Sequence, residues 1–304
     1  MIDVITKNPC PRTKSTRDRP PIHSKEKMDF ACLYMMASND TCRNAESDLR
    51  TMNTPWSDEP APDHSWLCRH LCTIPEDWMD YILAETARRC IKAADGASGP
   101  LAADSSGVET TRYKNVEKED KATGKTIQTR QKEYWKYHIT AITGLQIVLS
   151  AMSTPGNIND CLKLPDMLNS IKNHGFDFKG HIFNADRGYD ADYNFEEIFW
   201  MGMMPNIKQR AGAVSEDKTS RKKAAGMFDR TEYPSRSLIE SIFGAEETRQ
   251  HQLYCRFIRE DNRRRFGKGR AIAWNIRVLN RFECAKKLGI PIPSYGRPVH
   301  AECA

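Results

Sequence analysis

The hydrophobic and polar positions of this chain follow two different periods, and the change from one to the other lies near residue 99. Before it, apolar residues such as Met79, Leu83 and Ala87 recur at the spacing of an amphipathic helix. After it, polar and apolar residues alternate along residues 133–142, as they do in a half-buried strand. The sequence therefore predicts a helical N-terminal region followed by a region that contains strands.

The N-terminal region is predicted to be a small all-helical unit over residues 23–96, with a role in DNA binding or dimerisation. Ser24 is expected to cap its first helix, and Pro75 is expected to open its last. The Pro-rich stretch 55–62 predicts a linker. Residues 1–22 lack periodicity and are expected to form a disordered basic arm, with or without a role in grasping DNA. The predicted helices cover residues 25–37, 43–52, 63–73 and 76–94.

Beyond residue 99 the pattern predicts three antiparallel strands followed by α/β crossovers. Residues 111–132 form a hydrophilic excursion with a hairpin-like tip at 122–125, which could touch DNA or be a solvated loop. This order predicts a ribonuclease H-like mixed sheet over residues 97–290, with a C-terminal tail over 291–304. The predicted strands are 99–104, 133–142, 145–152, a strand ending at Asp186, and 204–209; the predicted helices are 165–174, 191–202 and a helix bearing Glu240.

The composition is that of a soluble globular protein, with 39% hydrophobic and 28% charged residues among 304. The apolar run 31–37 is far shorter than the ~20 residues that span a bilayer, so we expect no membrane partner and a cytoplasmic location. The ten cysteines form no CxxC pair and are expected to be reduced. A zinc site at His64, Cys68, His70 and Cys72 is a minor alternative to buried thiols and hydrogen-bonded histidines.

The charge is unevenly distributed along the chain. Residues 1–98 hold 13 Lys or Arg against 15 Asp or Glu, whereas the whole chain carries a net charge of +6. Residues 249–281 are the densest basic stretch, with 10 basic and 2 acidic residues. Such a patch points to a polyanionic partner, and we expect double-stranded DNA.

Three carboxylates far apart in the sequence are the candidate catalytic and metal-binding residues: Asp104, Asp186 and Glu240. Asp104 and Asp186 are expected at the ends of strands, and Glu240 on a helix whose polar face also carries Tyr233 and Arg236. Carboxylates suit hard divalent cations, and two such ions can stabilise the entering and leaving oxygens of phosphodiester cleavage. We therefore expect two Mg²⁺ or Mn²⁺ ions. Each motif alone could instead be a turn or an exposed salt-bridged stripe.

These motifs resemble those of DDE-class insertion-sequence transposases of the group with a Tyr-x2-Arg-x3-Glu signature. Ala103-Asp104-Ser-Ser-Gly matches the first acid, Ala185-Asp186-Arg-Gly-Tyr-Asp the second, and Tyr233, Arg236 and Glu240 the signature. The resemblance covers about residues 99–285. One position departs from it, because Glu247 stands where the family commonly has a Lys or Arg.

The resemblance implies a transposase that binds the terminal inverted repeats of an insertion sequence, cleaves there, and joins the 3′-hydroxyl to target DNA. It also implies that no nucleotide cofactor is needed. A homodimer on DNA, associated with the nucleoid of a prokaryotic host, is the expected assembly. A nuclease without strand transfer and a domesticated, non-catalytic DNA-binding protein are the alternatives. The residues expected to bind DNA are Tyr233, Arg236, Arg210, Lys222, Lys223, Arg249, Arg263, Arg264, Arg265, Lys268 and Arg270.

Overall fold

A computed structural model describes residues 1–11, 22–119, 126–212, 218–249 and 253–295 of the chain. The N-terminal helices are α1 (Ile2–Lys7), α2 (Lys25–Ser38), α3 (Cys42–Thr51), α4 (His64–Leu71) and α5 (Glu76–Ala93). The strands are β1 (Leu101–Glu119), β2 (Thr126–Ile142), β3 (Ile147–Pro155), β4 (Ile182–Ala185), β5 (Met204–Ile207) and β6 (Tyr254–Cys255). The later helices are α6 (Leu164–Asn173), α7 (Asp192–Trp200), α8 (Thr219–Ala225), α9 (Ser237–Arg249) and α10 (Glu260–Leu288). Short 3₁₀ turns cover Asp160–Leu162, Arg187–Tyr189 and Tyr233–Arg236.

The strands form one mixed sheet in the order β3-β2-β1-β4-β5, with β6 pairing with β1. Strands β1 and β3 are each antiparallel to β2, while β4 and β6 run parallel to β1 and β5 runs parallel to β4. This order, with β1 central, is that of a ribonuclease H-like fold, and the predicted fold class is confirmed. Because β4 and β5 each need a crossover helix to run parallel, the alternation of α6, β4, α7 and β5 follows directly.

Strands β1 and β2 are much longer than predicted. The sequence placed a hydrophilic excursion at 111–132, whereas β1 runs to Glu119 and β2 begins at Thr126, in continuous pairing after a bulge between Glu109 and Tyr113. Strand pairing uses backbone groups only, so a ribbon that faces solvent on both sides needs no apolar residues to extend. The predicted tip at 122–125 lies outside the described residues.

The chain begins with a packed helix where a disordered arm was expected. Val4 and Ile5 of α1 are buried, and the indole Nε1 of Trp78 donates to the carbonyl of Asn8 at 3.0 Å. Three apolar residues in six were too few for a periodicity argument, and α1 depends on its contacts with α2 and α5. Residues 12–21 of the predicted arm lie outside the described residues.

The linker at 55–62 is held to α2 by a buried lysine. The ammonium of Lys27 donates to the carbonyls of Trp56, Glu59 and Pro60 at 2.9–3.0 Å. Ser24 precedes α2 as predicted, but its hydroxyl makes no capping hydrogen bond. The linker is therefore an ordered part of the helical region.

Helix α10 lies in the middle of the molecule, in contact with α2, α5 and β3. Two glycines allow this close approach: a Cβ at Gly267 would lie 2.4 Å from Ser153 Oγ, and one at Gly269 would lie 2.7 Å from Met36 Sδ. One hydrophobic core includes residues from Val4 to Phe282, so the N-terminal helices and the sheet share it. No helix among the described residues is long and apolar enough to cross a membrane.

Candidate active site

The register of the parallel strands brings the first two carboxylates to the same level. Ala102 of β1 is paired with Asn184 of β4, and Asp104 and Asp186 each lie two residues further along. Adjacent strands are about 4.8 Å apart and side chains two residues apart share a face. Asp104 and Asp186 therefore lie side by side on one face of the sheet. Asp186 follows the end of β4 as predicted, whereas Asp104 lies inside β1, which continues to Glu119.

Asp186 is held by the turn that follows β4. Its Oδ1 accepts from the backbone N–H of Gly188 at 2.7 Å and caps the 3₁₀ turn Arg187–Tyr189. A Cβ at position 188 would lie 2.8 Å from that oxygen, so glycine is required for this approach. The Asp-Arg-Gly-Tyr sequence thus fixes the direction of the Asp186 carboxylate.

Asp104 lies in a buried and electrostatically crowded position. Its side chain is 18% exposed, and its Oδ1 accepts from the backbone N–H of Ser105 at 2.8 Å. Burial, together with the negative charges of Asp186 and Glu240, raises the pKa of Asp104 to about 6. A carboxylate whose ionisation is resisted by neighbouring carboxylates is one that a cation would stabilise.

Arg236 links the first carboxylate to the third. Its guanidinium lies 3.4 Å from Asp104 Oδ2 and 2.7 Å from Glu240 Oε1. Glu240 lies in the first turn of α9 with 56% of its side chain exposed. Tyr233 begins the 3₁₀ turn that carries Arg236, and its ring packs on Phe228 at 5.2 Å. Of the signature residues, Arg236 and Glu240 are therefore linked to Asp104.

Two buried asparagines, which the sequence analysis missed, position this 3₁₀ turn. Asn184 of β4 donates to Ser235 Oγ at 3.1 Å and accepts from Asn206 of β5 at 2.8 Å. Asn206 also exchanges hydrogen bonds with the backbone of Asp229, at 2.9 and 3.0 Å. The signal was present in the sequence, because each short strand carries an Asn at the same place in an otherwise apolar run.

A fourth carboxylate, Asp160, was also missed. Its Oδ2 accepts from Ser105 Oγ at 3.0 Å, and its Oδ1 lies 2.8 Å from Lys136 Nζ. The buried hydroxyl of Tyr189 has no hydrogen-bond partner among the described residues. Burial, followed by the charges of Asp104, Asp160 and Asp186, raises the pKa of Tyr189 well above its ordinary value. The carboxylates and this hydroxyl thus form one polar group around Asp104.

The basic residues predicted between β5 and α9 lie at the same edge of the sheet. Asp190 organises them, since its carboxylate accepts from Arg221 at 2.6 and 2.8 Å and from the backbone N–H of Arg210 at 2.7 Å. Arg210, Lys222 and Lys223 are exposed. Lys208, which the sequence analysis did not single out, is exposed and level with Asp186, because Ile207 pairs with Ala185. This basic surface adjoins the carboxylates.

The predicted DNA-binding residues of α10 are mostly inside the molecule, which corrects the sequence-based assignment. Arg263, Arg265, Lys268 and Arg270 are buried, and only Arg264 of the set is exposed, in a pair with Glu260 at 2.6 Å. Their partners are distant in sequence, so the local charge could not reveal the burial. These partners are Glu133 for Arg263, the carbonyl of Ile74 for Arg265, Asp80 and Glu76 for Lys268, and Glu246 for Arg270. The side chain of Arg249 lies outside the described residues.

The donor set at Asp104 and Asp186 fits a divalent cation such as Mg²⁺ or Mn²⁺. The donors are carboxylate oxygens, their mutual charge resists ionisation, and the orphaned Tyr189 hydroxyl lies in the same group. The three predicted ligands do not all come within 4.8 Å of one another. In the described part of the chain that condition is met by Glu46, Asp63 and His64 of the helical region.

The residues of the minor zinc alternative are dispersed. His64 Nδ1 lies 2.9 Å from Glu46, and His70 Nε2 lies 2.8 Å from Asp29. Cys72 Sγ lies 3.1 Å from the guanidinium of Arg259. These three residues have partners of their own, and the four candidates do not come together as a group of metal ligands among the residues described.

Comparison with known proteins gives one family. The family model for the transposase DDE domain matches residues 96–276. These residues include Asp104, Asp186, Glu240 and the elements that hold them. No curated protein matches the chain.

Three solved structures are distant neighbours of the fold. The cryo-EM structure of the piggyBac transposase synaptic complex with hairpin DNA has a TM-score of 0.43 and 7% identity, covering 92% of this chain and 71% of that one. The Mos1 transposase paired-end complex with left transposon end has a TM-score of 0.25 and 11% identity, covering 80% and 83%. The Mos1 mariner paired end complex with Mn has a TM-score of 0.25 and 11% identity, covering 91% and 82%.

Proposed function

Because the chain belongs to the transposase DDE domain family, we propose that it binds the terminal inverted repeats of an insertion sequence, cleaves there, and joins the 3′-hydroxyl to target DNA. The observation that carries this proposal is the placement of Asp104 and Asp186 at one level on neighbouring strands. Arg236 connects this pair to Glu240. Three carboxylates and a guanidinium, near the point where β4 ends beside β1, suit phosphodiester chemistry.

Asp104, Asp186 and Glu240 would hold two Mg²⁺ or Mn²⁺ ions, which polarise the phosphate and stabilise the entering and leaving oxygens. Asp104 is the central ligand in this assignment, because both other carboxylates influence its pKa. The Ser105 N–H and the Gly188 N–H keep the two aspartates oriented. No nucleotide cofactor is required, since the nucleophile is water in cleavage and a DNA 3′-hydroxyl in joining.

Arg236 and the exposed basic residues after β5 would contact DNA phosphates. In the described structure Arg236 neutralises Asp104 and Glu240. Binding of cations by the carboxylates would release its guanidinium, whose planar donors suit a phosphate. Tyr233, Arg210, Lys208, Lys222 and Lys223 extend this surface. Such contacts position DNA without reading its sequence.

The assembly proposed for this reaction is a homodimer on double-stranded DNA, associated with the nucleoid of a prokaryotic host. Two element ends must be held together for joining, and two copies of one site satisfy that need by symmetry. Sedimentation of the protein with a duplex that carries one element end measures the stoichiometry. A 1:1 complex at all protein concentrations would contradict the dimer.

The direct test uses the native chain, Asp104→Asn and Asp186→Asn with labelled duplexes that carry the inverted repeats flanking the gene. We expect the native chain with Mg²⁺ to nick the ends and join them to target DNA, and both variants to bind DNA without cleavage. Nicking without joined product would favour a nuclease. A gel shift without nicking in the native chain would favour a non-catalytic DNA-binding protein.

A further inference from the structure

Two strands of the sheet continue as a ribbon, and the described part of the chain places no third strand beside it. Strand β3 pairs with β2 only from Trp135 onward, and β6 pairs with β1 only at Glu109 and Thr110. Beyond the bulge, the ribbon consists of residues 113–119 paired with 126–132. Seven residue pairs extend about 23 Å at roughly 3.3 Å per residue. A two-stranded ribbon of this kind is one of the elements that the major groove of DNA admits.

One face of the ribbon carries side chains of the types that make paired hydrogen bonds to base edges. Opposite residues of antiparallel strands share a face, and the pairs Asn115 with Arg130 and Glu117 with Gln128 lie on the same one. Asn115, Gln128 and Arg130 are exposed. Arg makes paired hydrogen bonds to guanine, and Asn and Gln make them to adenine. We call these three residues and Tyr113 the reading face.

Contacts within the ribbon favour Arg130 as the principal member of this face. Its guanidinium lies 4.6 Å from the centroid of the Tyr113 ring, which holds it in place without neutralising it. The neighbouring Lys132 is paired with Glu109. Among the described side chains, Arg130 has no carboxylate partner. It is therefore a positioned and uncompensated cation at the surface.

Strand β1 contains both Asp104 and residues 113–119 of the ribbon. Asn115 lies eleven residues further along β1, which is at most about 36 Å. One helical turn of DNA is about 34–36 Å. A duplex whose scissile phosphate lies at Asp104 could thus present its next major groove to the reading face.

We propose that the ribbon enters the major groove and that Asn115, Gln128 and Arg130 read the bases about one helical turn from the site of cleavage. This inference rests on the proposed function, since it takes the DNA to be the duplex held at Asp104. It assigns sequence recognition to the ribbon and phosphate binding to the basic surface after β5.

The test measures discrimination between two duplexes. Selection of a random duplex library by the native chain supplies a preferred sequence, and a scrambled version of it serves as reference. Affinities are compared by fluorescence anisotropy at one salt concentration for the native chain, Arg130→Ala and Asn115→Ala. Lys114→Ala is the matched control, because Lys114 is an exposed cation on the opposite face of the ribbon.

We expect Arg130→Ala to reduce the ratio of the two affinities at least tenfold, because a paired contact to guanine is lost. Its affinity for the scrambled duplex should change less than about threefold, because only one cation has been removed. Asn115→Ala should act in the same direction, and Lys114→Ala should leave the ratio unchanged. Arg130→Lys keeps the charge but not the paired geometry and should resemble Arg130→Ala. Methylation protection of guanine N7 about ten base pairs from the nick should be lost in Arg130→Ala.

An unchanged ratio in Arg130→Ala and Asn115→Ala would overturn the inference, as would equal losses on both duplexes, which would make the ribbon a phosphate contact. A change in oligomeric state measured by sedimentation, with discrimination retained, would overturn it in favour of a protein interface. The proposed function is tested separately. Asp104→Asn should keep full discrimination while losing cleavage, so loss of one property without the other identifies which proposal has failed.

Discussion

At the scale of single residues, the site depends on how the environment sets the charge of Asp104. Burial and the neighbouring carboxylates raise its pKa to about 6, so the carboxylate is ionised only above that pH. Arg236 opposes this effect but does not cancel it. A ligand of this kind binds a cation in competition with a proton.

We therefore expect the affinity for Mn²⁺ or Mg²⁺ to be constant above about pH 7 and to fall by about tenfold per pH unit below about pH 6. Calorimetric titration of the folded protein with Mn²⁺ between pH 5 and 8 measures this, with Asp104→Asn as the control that should lose the pH dependence. An affinity that stays constant from pH 5 to 7 would show that Asp104 is not a ligand.

The choice between two glutamates is also made at the residue scale. Glu240 is in the first turn of α9 beside Arg236, whereas Glu247 is exposed seven residues further along. Seven residues amount to about 10 Å along a helix. We expect Glu240→Gln to eliminate cleavage in Mg²⁺, and Glu247→Lys to leave it intact or to raise it by strengthening DNA binding. A nicking assay in which Glu247→Gln is inactive and Glu240→Gln is active would reverse the assignment.

At the scale of secondary-structure elements, two basic segments have opposite environments. In α10 most basic side chains bind carboxylates or carbonyls of other elements and loops, so these side chains stabilise the packing of α10 in the core. The segment from β5 through α8 exposes its basic side chains at the edge of the sheet that carries Asp186. The surface that meets DNA phosphates should therefore be the second.

We expect the double variant Lys208→Ala, Lys222→Ala to weaken binding of duplex DNA and to reduce the slope of log K against log[salt] by about 2, since each phosphate contact contributes about 0.9. Arg264→Ala, the exposed member of the α10 series, should leave the slope unchanged. Filter-binding or anisotropy titrations between about 50 and 200 mM salt measure both. A reduced slope in Arg264→Ala together with an unchanged slope in the double variant would indicate that DNA phosphates bind at α10 instead.

At the scale of the whole molecule, the N-terminal helices and the ribonuclease H-like sheet share one core. Helix α10 contacts both, and α1 closes the core with Val4 and Ile5. The segment expected to be a mobile arm is thus, over residues 2–7, part of the folded unit.

Ile5→Ala should lower the free energy of unfolding by about 2–5 kcal/mol, the usual cost of removing a fully buried aliphatic side chain. Thr6→Ala, next to it on the exposed side of α1, should change it by no more than about 0.5 kcal/mol. Urea unfolding followed by circular dichroism gives both values. Equal effects of the two substitutions would mean that α1 is not packed in solution.

Local chemistry was enough to predict much of this protein. Periodicity predicted the element types from α2 to β5 and the order of the sheet, because a buried face must repeat with the period of its own helix or strand. Residue type and spacing identified Asp104, Asp186, Arg236 and Glu240, because a turn after a strand and a helix face are local features. The turn that orients Asp186 is also a local feature, because Gly188 lies only two residues after Asp186.

Features that depend on contacts between residues distant in sequence were determined only by the tertiary structure. The charges of Lys268 and Arg270 were visible in the sequence, but their burial depends on Asp80 and Glu246, which only the packing of α5 and α9 on α10 brings near. Asp160 lies at the site because it binds Ser105 and Lys136. Helix α1 is held in place because Trp78 and Arg89 of α5 bind residues at its two ends. The sequence by itself thus identified the candidate catalytic residues, and the packing decided which cations are exposed, because exposure is a property of the assembled core.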